Sequence, residues 1–305
     1  MGNGVCAVIV TYNRQRTLVK CLEHVRNLTE KPQKVLVVDN ASTDGTPELV
    51  RTRFPEFEVL ALETNAGGAG GFDAGMRHAY ASGYDYVWLF DDDAYVDPEC
   101  LRLLLRDADQ ADVLLPLQVN QTGQRYGVHR WTDNHLKQLQ PGDGEGPEVD
   151  TFTFVGPLIK RSVIEKIGWP RVDFFICADD TEYSLRIMSA GLRAIYVPEA
   201  IFYHDYGGKT VAVRRLGRQS FRSAEPPWKR YYAVRNDILI LKELGGTREY
   251  RSKYLAYTVY KLLRMAAGEA FYERDFPARL KYSLLGTLDG LLGRSGKRVQ
   301  PVIKG

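Results

Sequence analysis

Short apolar runs that stop at polar residues recur through the first part of the chain. Val5–Asn13 (VCAVIVTYN) and Lys34–Thr43 (KVLVVDNAST) are two; Phe57–Thr64 (FEVLALET) and Tyr84–Asp93 (YDYVWLFDDD) are two more. Such runs predict strands buried on both faces. Between them, apolar positions take helical spacing. Leu18, Cys21, Leu22, Val25 and Leu28 share one face over Arg16–Thr29. A second helix over Thr43–Phe54 follows a turn signal and carries Pro47 in its first turn. A third spans Gly71–Gly83, after a glycine-rich loop.

Alternating strands and helices predict βαβ units, hence a parallel sheet with right-handed crossovers. Ligands of such sheets sit outside the carboxyl ends of the strands. Asn13, Asp39, Asn65 and Asp91–Asp93 all fall where a strand runs out, so four polar tips should converge on one crevice.

Further along, the pattern predicts a helix over Pro98–Ala108 and a strand over Asp112–Asn120. A long loop over 121–148 follows, then a strand and helix within Thr151–Gly168. Phe174–Gly191 turns from apolar to acidic to helical. Leu192–Gly208 reads as a short strand, a turn and an edge segment ending at His204. The chain becomes basic and polar after residue 209, and its pattern is mostly helical from Trp228. A boundary near 225 divides it into domains 1–225 and 226–305.

Composition narrows the picture little. The chain has 305 residues, 44% hydrophobic and 26% charged, which is ordinary for a globular protein. A formal net charge of +3 argues against a dedicated nucleic-acid binder. The four widely spaced cysteines form no CxxC pair, so free thiols in a reducing compartment are expected. No secretory signal or membrane span is readable. A cytoplasmic protein is expected, with docking on the cytoplasmic face of the membrane as an option.

Four constellations carry candidate chemistry. Asp91, Asp92 and Asp93 crowd like charges at a strand tip, and a divalent cation accounts for that crowding. The alternative is a solvated acidic turn. In Asn65–Phe72 (NAGGAGGF), glycines before a helix allow close backbone approach to a phosphate. The spacing is neither that of a Walker loop nor, at this position, of a nicotinamide fingerprint. Asp179 and Asp180 stand at a helix start, where either can be a general base or a simple cap. Glu182 and Arg186 form an i,i+4 pair in the same helix. His204 is a plausible third metal ligand beside carboxylates.

In this order, VTYNR, VDNASTDGT, DDDA after a strand and DDTEYSLR resemble the family 2 glycosyltransferases of the GT-A fold, over roughly residues 5–208. NAGGAGGF, and DDDA with a downstream histidine, look most like bacterial galactofuranosyltransferases; rhamnosyltransferases share much of the layout. The resemblance implies an α/β fold: a Rossmann-like, mostly parallel central sheet flanked by helices, with a C-terminal helical region. It implies an inverting transfer from a nucleotide sugar to a glycan or lipid-linked glycan. UDP-galactofuranose is the first donor and dTDP-rhamnose the second. Thr11, Tyr12, Asn13 and Arg14 would contact the nucleotide, and Asp39 its uracil or ribose. Asn65, Gly67, Gly68, Gly70, Asp91 and Asp92 would complete the donor site. Asp91, Asp93 and His204 would hold Mn²⁺ or Mg²⁺. Asp180 would be the base, with Asp179 as the fallback. Trp169 and Trp228 are the acceptor-side candidates. The chain is shorter than the polymerising galactofuranosyltransferases, which favours one or few additions. A sugar-nucleotide nucleotidyltransferase is the alternative of another class, but it needs a glycine-rich first turn that TYNRQRT lacks. A non-catalytic carbohydrate-binding protein is the third reading.

Overall fold

The computed structural model describes residues 4–120, 123, 125–132, 135–138, 148–204, 210–215, 218–223, 225–243, 252, 255–256, 259–260, 263, 267 and 275–300. The chain forms two compact units. The first comprises Met1–Arg130, Lys137–Val172 and Asp180–Tyr206; the second comprises Trp131–Leu136, Asp173–Asp179 and Gly207–Gly305.

The first unit opens with the expected alternation: β1 (Val5–Thr11), α1 (Gln15–Arg26), β2 (Lys34–Asp39), α2 (Thr46–Arg53), β3 (Glu58–Ala61), α3 (Gly67–Ala81) and β4 (Tyr86–Asp91). A short β5 (Ala94–Val96), α4 (Cys100–Arg106), β6 (Val113–Val119) and β7 (Arg125–Tyr126) follow. Then come β8 (Val128–Thr132), β9 (His135–Gln138), β10 (Thr151–Phe152), β11 (Leu158–Lys160), α5 (Arg161–Ile167), α6 (Asp179–Ser189) and β12 (Ala194–His204).

Among the described residues the main sheet runs β3-β2-β1-β4-β11-β6-β12-β5, with β7 on β6. The pairs β1–β2, β1–β4, β2–β3 and β6–β12 are parallel; β11, β5 and β7 run antiparallel to their neighbours. The continuous apolar strands have their predicted cause. Val5, Ala7 and Ile9 of β1 enter one core cluster, while Cys6, Val8 and Val10 enter a second on the other face of the sheet. β4 divides in the same way: Tyr86, Trp88 and Phe90 against Val87 and Leu89. Helices cover both faces, and the side-chain period of two sorts the strand residues between them.

Three expectations need correction. The glycine run is not a loop before a helix at Gly71; the helix already begins at Gly67. Gly71, and Gly75 one turn later, are there because α3 lies directly on β1. A Cβ on Gly71 would stand 2.5 Å from Val10 Cγ1, and one on Gly75 would stand 2.2 Å from Val8 Cγ1. The region 121–148 is not simply a loop, because its described residues include β7, β8 and β9. His204 does not lie on a sheet edge. It ends an 11-residue strand that bulges between Val197 and Ile201 and is flanked by β6 and β5.

The second unit contains a hairpin, β13 (Thr210–Arg215) and β14 (Arg218–Ser223), then α7 (Pro227–Glu243) and α8 (Phe276–Leu291). Its core joins Phe175, Trp228, Tyr231 and Tyr232, with Tyr282 and Val299 packed against them. Most of the stretch 254–276, expected to be helical, lies outside the described residues, as do Asp205–Gly208 after His204.

Candidate active site

Strand register builds the site. Val10 of β1 is level with Asp91 of β4, and Thr11 of β1 is level with Asp39 of β2. Three strands therefore end together, and their polar tips share one level. On the other side, β5 turns back antiparallel to β12 and places Ala94 opposite His204. That pairing brings His204 beside Asp93, 111 residues away in sequence, with Nε2 3.1 Å from Asp93 Oδ1.

The acids form a tight group. Ligand atoms of Asp91, Asp93 and His204 lie within 4.8 Å of one another. Thr11 Oγ1 donates to Asp92 Oδ2 at 2.6 Å. Arg14 Nη1 donates to Asp92 Oδ1 at 3.1 Å and to Asp93 Oδ2 at 2.7 Å. One guanidinium thus bridges two of the three carboxyls. Burial, followed by the charge of Asp93, pushes the Asp91 carboxyl well up. Burial also pushes Asp92 up to about 6 against the pull of Arg14. Asp93 goes the other way, because His204 and Arg14 together outweigh its burial and hold it low. Burial weakens the Arg14 cation, but Asp92 and Asp93 more than compensate and hold it protonated. Two oxygen ligands and an imidazole at this spacing suit Mn²⁺ or Mg²⁺, and the excess of negative charge is the physical reason a cation fits.

The loops around the cluster are stitched to each other. Asn13 takes a left-handed conformation (φ 51°). Its N–H donates to Ser42 Oγ at 2.9 Å, and its Oδ1 accepts from Thr43 N–H at 2.7 Å. Asn40 accepts from Ala66 N–H at 3.1 Å and donates to Gly67 O at 2.7 Å. Asn65 Oδ1 accepts from Gly67 N–H at 2.8 Å. Asp39 is 1% exposed. Its Oδ2 accepts from Ser42 N–H at 2.9 Å, while its buried Oδ1 has no hydrogen-bond partner among the described residues. Open space lies over Gly68, whereas a Cβ on Gly70 would meet Ala66 Cβ at 2.4 Å. Tyr12 is half-buried in the same β1–α1 loop. Sequence reasoning picked Asp39 from VDNASTDGT but passed over Asn40 and Ser42. Their signal was present, since Asn and Ser after a strand favour side-chain bonds to loop backbone.

The remaining candidates belong to other elements of the chain. Asp179 and Asp180 open α6, and Asp180 Oδ1 accepts from Thr181 N–H at 2.6 Å as a helix-start cap. The Glu182–Arg186 pair forms with two contacts, at 2.6 and 3.0 Å, and Arg186 also donates to Ile167 O and Trp169 O. Trp169 packs edge-on to Tyr80 and under the Arg77 guanidinium. Trp228 is 8% exposed and belongs to the aromatic core of the second unit.

The model of the family described as "Glycosyl transferase family 2" matches residues 6–168, more than half of the chain. The chain is a family 2 glycosyltransferase. It is 29% identical over 286 residues to galactofuranosyltransferase GlfT1 of Mycobacterium tuberculosis, covering 90% of this chain and 93% of the relative. It is 25% identical over 301 residues to dTDP-rhamnosyl transferase RfbF of Shigella flexneri, covering 97% and 98%. Among solved structures, TarS 1–349 of S. aureus aligns with a TM-score of 0.62 at 17% identity over 94% of this chain and 80% of that one. The mannosyltransferase PcManGT of Pyrobaculum calidifontis, solved with GDP-Man and Mn²⁺, aligns with a TM-score of 0.57 at 18% identity over 95% and 87%. The fold of this glycosyltransferase is GT-A, as its sheet order and neighbours agree.

Proposed function

We propose that this glycosyltransferase is an inverting, divalent-cation-dependent enzyme that moves galactofuranose from UDP-galactofuranose to a glycan or lipid-linked glycan. The observation that carries the reading is the convergence of Asp91, Asp93 and His204 at the sheet's carboxyl end. Those three side chains would hold Mn²⁺ or Mg²⁺, and the chemistry supplied there is charge compensation for the departing diphosphate. Arg14 holds Asp92 and Asp93 in place and helps His204 keep Asp93 ionised. The buried Asp39 Oδ1 is an acceptor suited to an N–H of the uracil or a ribose hydroxyl. The open space over Gly68, at the start of α3, suits close approach by the rest of the donor, with Asn65, Gly67 and Gly70 shaping the turn.

Asp180 takes the proton of the acceptor hydroxyl, with Asp179 as the fallback. The hydroxyl oxygen forms a bond to the anomeric carbon as the bond from that carbon to the diphosphate oxygen breaks. The nucleoside diphosphate leaves with the electron pair, and the anomeric configuration inverts. The reading assigns catalysis to residues 1–225, with Trp169 on the acceptor side. GlfT1 similarity across nearly the whole chain supports galactofuranose as the sugar. The comparable coverage of RfbF keeps dTDP-rhamnose as the second donor.

The test is a thermal-shift screen of the purified protein with UDP-galactofuranose, UDP-galactopyranose, UDP-glucose and dTDP-rhamnose, each with Mn²⁺ and with EDTA. UDP-galactofuranose with Mn²⁺ should give the largest stabilisation, and EDTA should remove it. Stabilisation by dTDP-rhamnose alone would replace the donor. No shift with any nucleotide sugar would overturn the reading.

A further inference from the structure

Helix α8 faces the opposite way from an ordinary amphipathic helix. Its inward face carries Arg279, Gly286 and Gly290, all buried. The glycines let it lie close on α7. A Cβ on Gly286 would stand 2.5 Å from Tyr231 O, and one on Gly290 would stand 2.8 Å from Ile238 Cβ. Arg279 anchors the helix start by donating to Glu225 O and to Asp275, each at 2.8 Å. The outward face carries the leucines. Leu280, Leu284, Leu288 and Leu291 follow one another at i, i+4, i+8 and i+11, with Leu285 and Leu292 beside them, and these six are 40–62% exposed.

A soluble helix does not leave six leucines in water without a use for them, because apolar surface removed from water is stabilising. The same unit exposes a second such set, Leu255, Val259, Tyr260 and Leu263, at i, i+4, i+5 and i+8. Charge identifies the occupant. Residues 207–305 carry 21 Lys and Arg against 8 Asp and Glu, whereas residues 1–206 carry 20 against 30. Lys281 is exposed on the leucine side of α8, and Arg294 and Arg298, tied to Asp289, are exposed just beyond its end. Apolar residues bordered by cations match a bilayer with anionic headgroups, where the leucines enter the acyl boundary and the cations stay among phosphates. A second copy of the chain would bring two surpluses of positive charge together. No helix among the described residues is long and apolar enough to cross a membrane, so the contact is one of lying on the surface.

We propose that the leucine face of α8 seats this protein on an anionic lipid surface. The contact is separate from donor chemistry and holds whatever sugar is transferred.

The test is co-sedimentation of the full-length protein with vesicles of phosphatidylcholine alone or with added phosphatidylglycerol. The comparison is a triple variant, Leu284→Gln, Leu288→Gln and Leu291→Gln. The wild type should pellet with phosphatidylglycerol vesicles and stay in solution with phosphatidylcholine. Raising the salt should weaken the binding, and the triple variant should lose at least tenfold in it. These side chains are already in water, so the variant's melting temperature and its stabilisation by donor and Mn²⁺ should match the wild type. A wild type that stays in solution with both vesicles, or a triple variant that binds like the wild type, overturns the proposal. So does a concentration-dependent dimer, seen by light scattering, that the triple variant abolishes. Vesicle binding without any nucleotide-sugar effect would leave this proposal standing and remove the donor reading.

Discussion

Two charge clusters, one in each unit, have been treated in opposite ways. In the second unit, Arg235 is fully buried. Its guanidinium donates to Asn236 Oδ1 at 2.9 Å, Phe174 O at 2.9 Å, Asp173 O at 3.2 Å and to Gly296 O. The rings of Tyr231 and Tyr232 lie 5.4 and 4.9 Å from it. These partners are neutral dipoles that replace water around the cation. In the first unit, Arg14 pairs with Asp92 and Asp93 but not with Asp91, and two of the three acids are pushed toward their neutral forms. The first arrangement is complete in the protein alone. The second has more charge than the fold neutralises. A charge solvated by the fold is structural, and a surplus the fold leaves unbalanced marks where a ligand of opposite sign belongs.

The largest effect should come from breaking the complete cluster. Arg235→Met takes one donor from each of the carbonyls of Asp173, Phe174 and Gly296, empties the cage between the two tyrosine rings, and should cost about 3–5 kcal/mol of stability. Chemical denaturation measures it, and a loss below about 1 kcal/mol would mean the cage is not structural. In the acid cluster the same kind of change should do the reverse. Asp91→Asn removes a repelled carboxylate, so the metal-free melting temperature should hold or rise. The Mn²⁺-induced shift should vanish, with affinity down by at least about 100-fold. A metal-free protein destabilised by this change would contradict the surplus-charge argument.

Asn236→Ala comes next in size. The Asn236 amide donates to Phe174 O, Ile176 O and Cys177 O, at 3.1, 3.1 and 2.7 Å. Those carbonyls belong to a segment in which Phe175, Cys177 and Ala178 all have positive φ, at 65°, 68° and 62°. Left-handed backbone is strained for such residues and persists only where surroundings enforce it. The segment runs straight into Asp179 and Asp180. The substitution should cost about 1–2 kcal/mol of stability. With the base at Asp180, kcat should fall more than the donor KM rises; steady-state kinetics would show the split.

The contrast also explains what was legible. The acid cluster could be read because polar residues ending apolar runs are a local signal, and parallel strands bring such ends together. His204 carried no local signal, since its place beside Asp93 depends on β5 pairing with β12 across 111 residues. The glycines of NAGGAGGF were visible, but their reason was not. Nothing near Gly71 and Gly75 announces that Val10 and Val8 will lie beneath them. Arg235 and Asn236 were read only as part of the helical pattern from Trp228, because a buried arginine solvated by carbonyls looks in sequence like any surface arginine. The turned face of α8 was hidden for a similar reason, since glycines and leucines at helical spacing do not say which side meets the protein.

The smallest effect, and the one most specific to the acids, is in pH. Burial and then Asp93 raise the Asp91 carboxyl, and burial raises Asp92 to about 6. A carboxyl raised in the folded state binds protons more readily there than in the unfolded chain. Its contribution to stability is therefore full below the ordinary carboxylate value of about 4 and is lost as pH climbs through the raised values. Asp93, held low, contributes in the opposite sense, and its share is lost only as pH falls well below 4. Metal-free protein should thus lose a few degrees of melting temperature from about pH 5 to pH 8 on account of Asp91 and Asp92. A divalent cation takes the place of their protons. The Mn²⁺-induced shift should accordingly be small at pH 5 and grow toward pH 8, while Asp91→Asn should flatten it. An Mn²⁺ shift that is flat or largest at pH 5 would show the three acids ionised without a cation, and the two clusters would then differ in partner but not in charge balance.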